Sequence, residues 1–357
     1  MERKTALNYI KRLVIAALLM LSVPAALVLI FDPFYHYHGP VFGMKAVLEE
    51  RDYEVAGTLD HLEYDAVLLG DSLVENTNTA WLNELFGCRT VKAIRAGGSN
   101  ADLLWYLDRA YETHEVKTVF YCIDKAAICA STGVTFPEND YYYLLDRNPF
   151  NDWKYLWNKD VLLKKIPIQL AYNTVLPYDE NEAYAWYRTK VFSTDAMLSF
   201  YSPPDPVTTE ETLPAEFDEN LALLKERILA HPETEFYLFY PPTSMLWWDN
   251  ELREGKLTSD YEMFRRIVTA FSGLPNVKLY GFFATEKYTQ SDNYMDTIHF
   301  SPTVLHSIFS DMAAGDHILN DATLDTEIVK LKEMIEEFSV NEIPDYYPDA
   351  APVCFGE

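Results

Sequence analysis

Cysteine is scarce in this chain and shows no useful spacing. The four residues, Cys88, Cys122, Cys129 and Cys354, contain no Cys-x-x-Cys pair and no zinc-ligand pattern, which excludes a zinc module and a disulfide scaffold as the organising principle. Cys88 and Cys122 fall near or inside predicted strands and read as buried thiols; a disulfide outside a membrane stays open, because sequence alone cannot pair them. Positive charge is also short, with 29 basic against 55 acidic residues and a net charge of -26. That balance argues against nucleic acid or anionic lipid as a partner, since phosphate binding needs Lys/Arg patches. The acidity itself reads as a solvated surface, or more sharply as tolerance of cationic or neutral substrates. No lipobox cysteine, internal repeat or low-complexity segment is present, and no residue pattern calls for a metal or a cofactor.

Long apolar runs are absent except at the N-terminus, where Leu13 to Phe31 is broken only by Ser22 and Pro24 and approaches the ~20 residues that span a bilayer. Arg3, Lys4, Lys11 and Arg12 precede it and almost no basic residue follows closely, so the positive-inside rule places the rest of the chain outside the cytoplasm. A cleaved signal peptide is the rival, but its core is usually only ~7–15 residues and ends in a small-x-small site, whereas this run ends Leu29-Ile30-Phe31-Asp32-Pro33. The expectation is a single-pass signal anchor over residues 1–31, then a juxtamembrane segment over 32–60. Within that segment His36 and His38 alternate with Tyr35 and Tyr37. In an extended strand both histidines would share a face as a metal or substrate contact; the alternative is an interfacial aromatic belt.

Downstream, apolar segments alternate between strand and helix. Strands are expected at 65–69, 89–94, 117–123, 235–240 and 276–280, and helices near 77–86, 100–113, 215–230, 259–272 and 303–313. Such βαβα alternation implies an α/β fold with a parallel sheet wrapped by helices. Directly after the apolar run Ala66-Val67-Leu68-Leu69 stands Gly70-Asp71-Ser72, and far downstream Asp296-Thr297-Ile298-His299 precedes Ser301-Pro302, which read as the N-cap and first residue of a helix. A serine hydroxyl needs an imidazole to take its proton, and the imidazole needs a third group to fix its tautomer. Ser72, His299 and Asp296 supply those three types, in loops at the rim of a sheet, where open α/β sheets place their sites.

In these motifs the chain resembles the SGNH (GDSL-type) hydrolase superfamily, over about Tyr64 to Ala314. The resemblance implies a flavodoxin-like three-layer sandwich with a central parallel sheet of about five strands, and Ser72 as nucleophile, His299 as base and Asp296 as its orienter. The family's second block, a glycine after the second strand, matches Arg95-Ala96-Gly97-Gly98-Ser99-Asn100 and implies an oxyanion-hole N–H from Gly98 or Gly97. The third block, Gly-x-Asn-Asp, does not match: the third strand runs into Asp124-Lys125 with no asparagine. Losing one oxyanion donor typically costs about 100- to 1000-fold in rate, so either another donor substitutes, with Asn100 the candidate, or the activity is weak or specialised. The same gap is familiar in the membrane-anchored branch similar to teichoic acid D-alanylation and alginate O-acetylation proteins.

One stretch, 132–214, is long, aromatic and rich in Asp, Asn and Pro, and is expected to form a cap inserted in a catalytic domain over 61–320. Its Trp153 and Trp157 could stack on sugar rings or simply form the cap's own core. Asp71, Tyr240, Ser244 and Trp247 are expected to wall the pocket, and 321–357 to be a C-terminal helix and a loosely packed acidic tail. The resulting expectation is an extracytoplasmic, membrane-anchored serine esterase or acyltransferase acting on ester-linked acyl groups of a cell-envelope glycopolymer, with a membrane-bound O-acyltransferase as candidate partner. The alternative is a non-catalytic envelope-assembly or glycan-binding protein that kept the fold.

Overall fold

The computed structural model describes residues 2–353; the side chains of residues 1–4, including the charges of Arg3 and Lys4, and the Cys354 thiol lie outside the described structure. In chain order the elements are α1 (Glu2–Phe31), α2 (Arg51–His61), β1 (Ala66–Gly70), α3 (Thr79–Phe86), β2 (Thr90–Ile94), α4 (Asn100–Thr113), β3 (Thr118–Cys122), α5 (Lys125–Ile128), α6 (Trp153–Leu156), α7 (Ile166–Tyr172), α8 (Thr194–Leu198), α9 (Ala215–Ala230), β4 (Glu235–Tyr240), α10 (Met245–Arg253), α11 (Leu257–Phe271), β5 (Val277–Gly281), α12 (Glu286–Thr289), α13 (Pro302–Ala314), α14 (Leu324–Glu337) and α15 (Ile343–Tyr346). Two compact units result: Met1–Leu62 with Phe136–Ala183, and Glu63–Thr135 with Tyr184–Glu357. The stretch expected to be one cap, 132–214, is therefore divided between them.

The second unit is built on a five-stranded sheet in the order β2-β1-β3-β4-β5, and every adjacent pair is parallel. This is the flavodoxin-like order, in which the chain reverses direction across the sheet between β1 and β3. Helices cover both faces, so β1 is buried along its whole length, and the uninterrupted Ala66-Val67-Leu68-Leu69 run follows from that burial. Helix boundaries are set by local chemistry. Ser99 and Asp102 form a reciprocal capping box at the start of α4, and α3 and α13 end on Gly87 (φ 68°) and Gly315 (φ 80°), which take the left-handed conformation at little cost. Aromatic rings fill the interior: Phe264 lies flat on Phe283 at 4.0 Å, with Tyr240 edge-on to Phe264 at 4.9 Å. The C-terminal region is not a loose tail. Leu331, Ile335, Phe338 and Ile343 are buried, Tyr347 Oη donates to the Leu198 carbonyl at 3.0 Å, and Arg253 Nη1 to the Ala351 carbonyl at 2.7 Å.

In the first unit, Ala25, Val28 and Asp32 repeat at helical spacing and form the buried side of the C-terminal half of α1. Asp32 ends the helix at positive φ (37°), and its carboxylate collects the backbone N–H groups of His36, Tyr37 and His38 at 3.1, 2.6 and 2.9 Å, plus the Tyr155 hydroxyl at 2.8 Å. The His-Tyr alternation is thus wound into a turn around one carboxylate rather than held as an extended strand. His36 Nε2 sits 3.2 Å from Asp152, while His38 bonds the Gly39 and Leu29 carbonyls. Among the described residues no group of three or more His, Cys, Asp or Glu side chains is placed to hold a metal ion.

Candidate active site

β1 delivers Gly70-Asp71-Ser72 to the carboxyl edge of the sheet, beside the reversal point between β1 and β3. The turn must approach β3 closely here. A Cβ on Gly70 would sit 2.5 Å from Val74 Cγ2 and 3.0 Å from Cys122 Cβ, so only glycine fits. From below, the buried Lys92 ammonium on β2 donates to the Glu75 and Thr77 carbonyls at 2.6 and 2.9 Å and braces the chain that follows Ser72.

The loop before α13 brings the imidazole to this turn. Ser72 Oγ is 2.9 Å from His299 Nε2, and His299 Nδ1 is 2.7 Å from Asp296 Oδ2. A carboxylate can only accept, so the proton sits on Nδ1 and Nε2 is left as the acceptor for the Ser72 hydroxyl. Asp296 is itself fixed, because its Oδ1 accepts the backbone N–H groups of Ile298 and His299 at 2.9 and 2.8 Å. Burial works to raise the Asp296 carboxyl, but the His299 ring and these N–H groups outweigh it and hold it below its ordinary value. Ser244 closes the arrangement from outside the pocket: buried at the N-cap of α10, it donates through Oγ to the Thr297 carbonyl at 2.7 Å. It holds the histidine loop and is absent from the cavity lining, contrary to the expectation that it walls the pocket.

A cavity of about 400 Å³ opens beside Ser72, lined by Asp71, Gly97, Asp124, Lys125, Tyr240, Thr243 and Trp247 among others. Asp71, Tyr240, Trp247 and Gly97 line this cavity. Gly97 adopts φ 61°, and neither its N–H nor that of Ser72 has an acceptor among the described residues. Both donors are thus free to meet a developing oxyanion. Gly98 is not available, because its N–H donates to the Arg95 carbonyl at 3.0 Å. Asn100 is excluded as well. Fully buried, it receives the Tyr121 hydroxyl on Oδ1 at 2.5 Å and donates Nδ2 to Asn220, so it ties α4 to the core. Trp153 and Trp157 belong to the other unit, are exposed, and do not line this cavity.

Three features escaped the sequence reading. Trp186, from the far end of the 132–214 stretch, stands edge-on to the His299 ring at 5.5 Å, its loop held by Asn76 Oδ1 accepting the N–H groups of Trp186 and Tyr187. Asp124 occupies the place after β3 where no asparagine was found and lies beside the Asp71 carboxyl; burial raises both carboxyls. Lys125 reaches from the same turn to Glu251 and, at 2.5 Å, to Asp260. Only Asp124-Lys125 left a visible sign in the sequence, as the departure from Gly-x-Asn-Asp.

No family model matches the chain. No curated protein matches it either. Among solved structures it is similar to one titled "The structure of a putative platelet activating factor from Streptococcus pneumonia", at 14% identity and a TM-score of 0.39, over 74% of this chain and 91% of that one. A likeness that remote bears on neither family nor activity.

Proposed function

We propose that this chain is a membrane-anchored, extracytoplasmic serine esterase or acyltransferase of SGNH type that acts on ester-linked acyl groups of a cell-envelope glycopolymer. The observation that carries the reading is the continuous relay from Ser72 Oγ through His299 to Asp296, at 2.9 and 2.7 Å. Ser72 Oγ attacks the ester carbonyl as its proton passes to His299 Nε2, and Asp296 stabilises the imidazolium through Nδ1–H. The tetrahedral oxyanion is met by the Ser72 and Gly97 N–H groups, which act in a cavity partly shielded from water. Collapse breaks the ester bond, His299 returns the proton to the leaving alcohol, and an acyl-serine remains. Water or a sugar hydroxyl then attacks it, with His299 again the base; a membrane-bound O-acyltransferase is a fitting source of acyl groups for the transfer branch.

The membrane part of the reading is supported by Thr5–Phe31, a helix long and apolar enough to cross a bilayer, with mean hydropathy 2.8 in its most apolar stretch. A second reading, a non-catalytic glycan-binding or envelope-assembly protein, is favoured by one observation: the Asp124 carboxyl stands where a neutral donor would serve the oxyanion. Fluorophosphonate labelling separates the two. The intact chain is expected to label and to release p-nitrophenol from p-nitrophenyl acetate, and Ser72→Ala to do neither while melting within about 2 °C of the parent, as the residue is in a rim turn. Equal labelling of the parent and Ser72→Ala, with glycan binding in both, selects the second reading.

A further inference from the structure

The first unit presents an apolar surface that the proposed chemistry does not use. Phe150, Trp153, Trp157, Leu163, Val175 and Leu176 all expose large apolar side chains, Phe150 to 90%. They fall within one short stretch of chain, and that stretch packs on α1. The Trp157 indole N–H donates to the Leu21 carbonyl at 2.7 Å, and Gln169 Nε2 donates to the Phe31 carbonyl at 3.2 Å. Pro24, inside α1, deprives the Met20 carbonyl of its helical donor, one residue before the carbonyl that Trp157 binds. Leu21 lies ten residues before Phe31, or about 15 Å along the helix, which is half of a ~30 Å hydrocarbon core. Trp157 therefore marks the bilayer boundary near Leu21 rather than Phe31, and Thr5 to Leu21 still runs about 24 Å into the hydrocarbon beyond it.

The charge of the same stretch differs from that of the chain. Lys154, Lys159, Lys164 and Lys165 lie close in sequence to Trp153, Trp157 and Leu163, against two acids, Asp152 and Asp160, in a protein whose net charge is -26; Asp152 is buried against His36 and Lys165 pairs with Glu50. Lys154, Lys159 and Lys164 are exposed, and Lys164 pairs with Asp160 at 2.8 Å. Tryptophans with an apolar body and a polar edge, ringed by lysines whose stems can extend toward headgroups, are the composition of a membrane-interface element.

We propose that residues 150–176 form a second membrane-contacting element, a foot that lies against α1 and seats its exposed Trp, Leu, Val and Phe side chains at the acyl–headgroup boundary of a lipid bilayer, with Lys154, Lys159 and Lys164 at the lipid phosphates. The occupant is lipid because the surface adjoins the apolar helix and carries a local excess of positive charge suited to phosphate. The foot rests on the reading of α1 as a membrane helix and extends it: the chain holds the bilayer at two places, which fixes its tilt and its distance from the surface.

The test uses the full chain in phosphatidylcholine–phosphatidylglycerol vesicles, without bromine, with acyl chains brominated near the headgroup to read the foot, and with acyl chains brominated at mid-chain to read Leu13→Trp. Bromine quenches tryptophan at short range, so the emission lost on replacing Trp153 and Trp157 by Phe should fall by about half or more in brominated lipid. Trp153→Phe alone, which removes no bond to α1, should show the same effect at smaller amplitude. Leu13→Trp, inside the apolar run, reports on the anchor separately. Quenching at Leu13→Trp together with loss of the Trp153 and Trp157 signal supports the foot. Quenching at Leu13→Trp alone, with the Trp153 and Trp157 emission unchanged, overturns the foot and leaves the anchor standing; a self-dimer cross-linked in that case identifies the patch as an interface between copies. No quenching at any of the three positions overturns anchor and foot together.

Discussion

Asp296→Asn isolates the part of the site that sets the imidazole's tautomer. The replacement keeps an oxygen able to accept the Ile298 and His299 N–H groups, now at 2.9 and 2.8 Å, so the loop should hold its shape. The other carboxylate oxygen, 2.7 Å from His299 Nδ1, becomes an NH2 group that donates. A donor facing Nδ1 moves the ring proton to Nε2, the nitrogen 2.9 Å from Ser72 Oγ, which then has nothing with which to accept the hydroxyl proton. The expected loss is that of a wrong-tautomer triad, about 10⁴-fold in kcat, or about 5.5 kcal/mol of barrier, with KM changed little. Stability should fall by less than about 1 kcal/mol, because both backbone bonds survive. Steady-state hydrolysis of p-nitrophenyl acetate gives the rate, and thermal melting checks the fold. Activity within tenfold of the parent, in a variant that melts normally and beside an inactive Ser72→Ala, would refute the assigned role of Asp296.

Two further outcomes follow from buried polar groups. Asn100→Ala should lower stability by about 2–3 kcal/mol in urea unfolding, because it strands the Tyr121 hydroxyl and the Asn220 amide in the core, while the surviving folded fraction keeps most of its esterase rate; a selective loss of kcat would restore Asn100 to the oxyanion hole. For Asp71 the sign is set by its raised folded value, caused first by burial and then by Asp124. The unfolded chain releases this proton near pH 4, the folded chain only well above it, so in that window the folded state binds more protons and stability falls as pH rises. Asp71→Asn should therefore show a smaller drop in melting temperature between pH 5 and pH 8 than the parent, and equal drops would show that the pair carries no linked proton.

Much of the scaffold was legible before any coordinates. Strand β4 and helices α4 and α9 have the bounds expected from their periodicity, and the other strands differ by one residue at one or both ends, because a sheet covered on both faces forces continuous apolar runs that local sequence displays. The serine, histidine and aspartate were legible because motif and sheet edge coincide. The partners of buried polar groups were not. Whether Asn100 points at a pocket or at Asn220, whether Ser244 lines the cavity or holds the Thr297 carbonyl, and whether the Gly97 or the Gly98 N–H is free each depend on residues far away in sequence or on one backbone angle. Nor did the aromatic stretch after β3 reveal its destination: composition shows that it is rich in rings, whereas only the folded chain sets Trp157 on the Leu21 carbonyl and Trp186 against His299. Sequence by itself determined which segments become strands and helices and which three side chains could do the chemistry, since those follow from local periodicity and residue type. The tertiary structure decided which donors remain free and what each aromatic ring touches, since a hydrogen bond or a packed ring is satisfied by whatever the fold brings within about 3–6 Å, regardless of its distance along the chain.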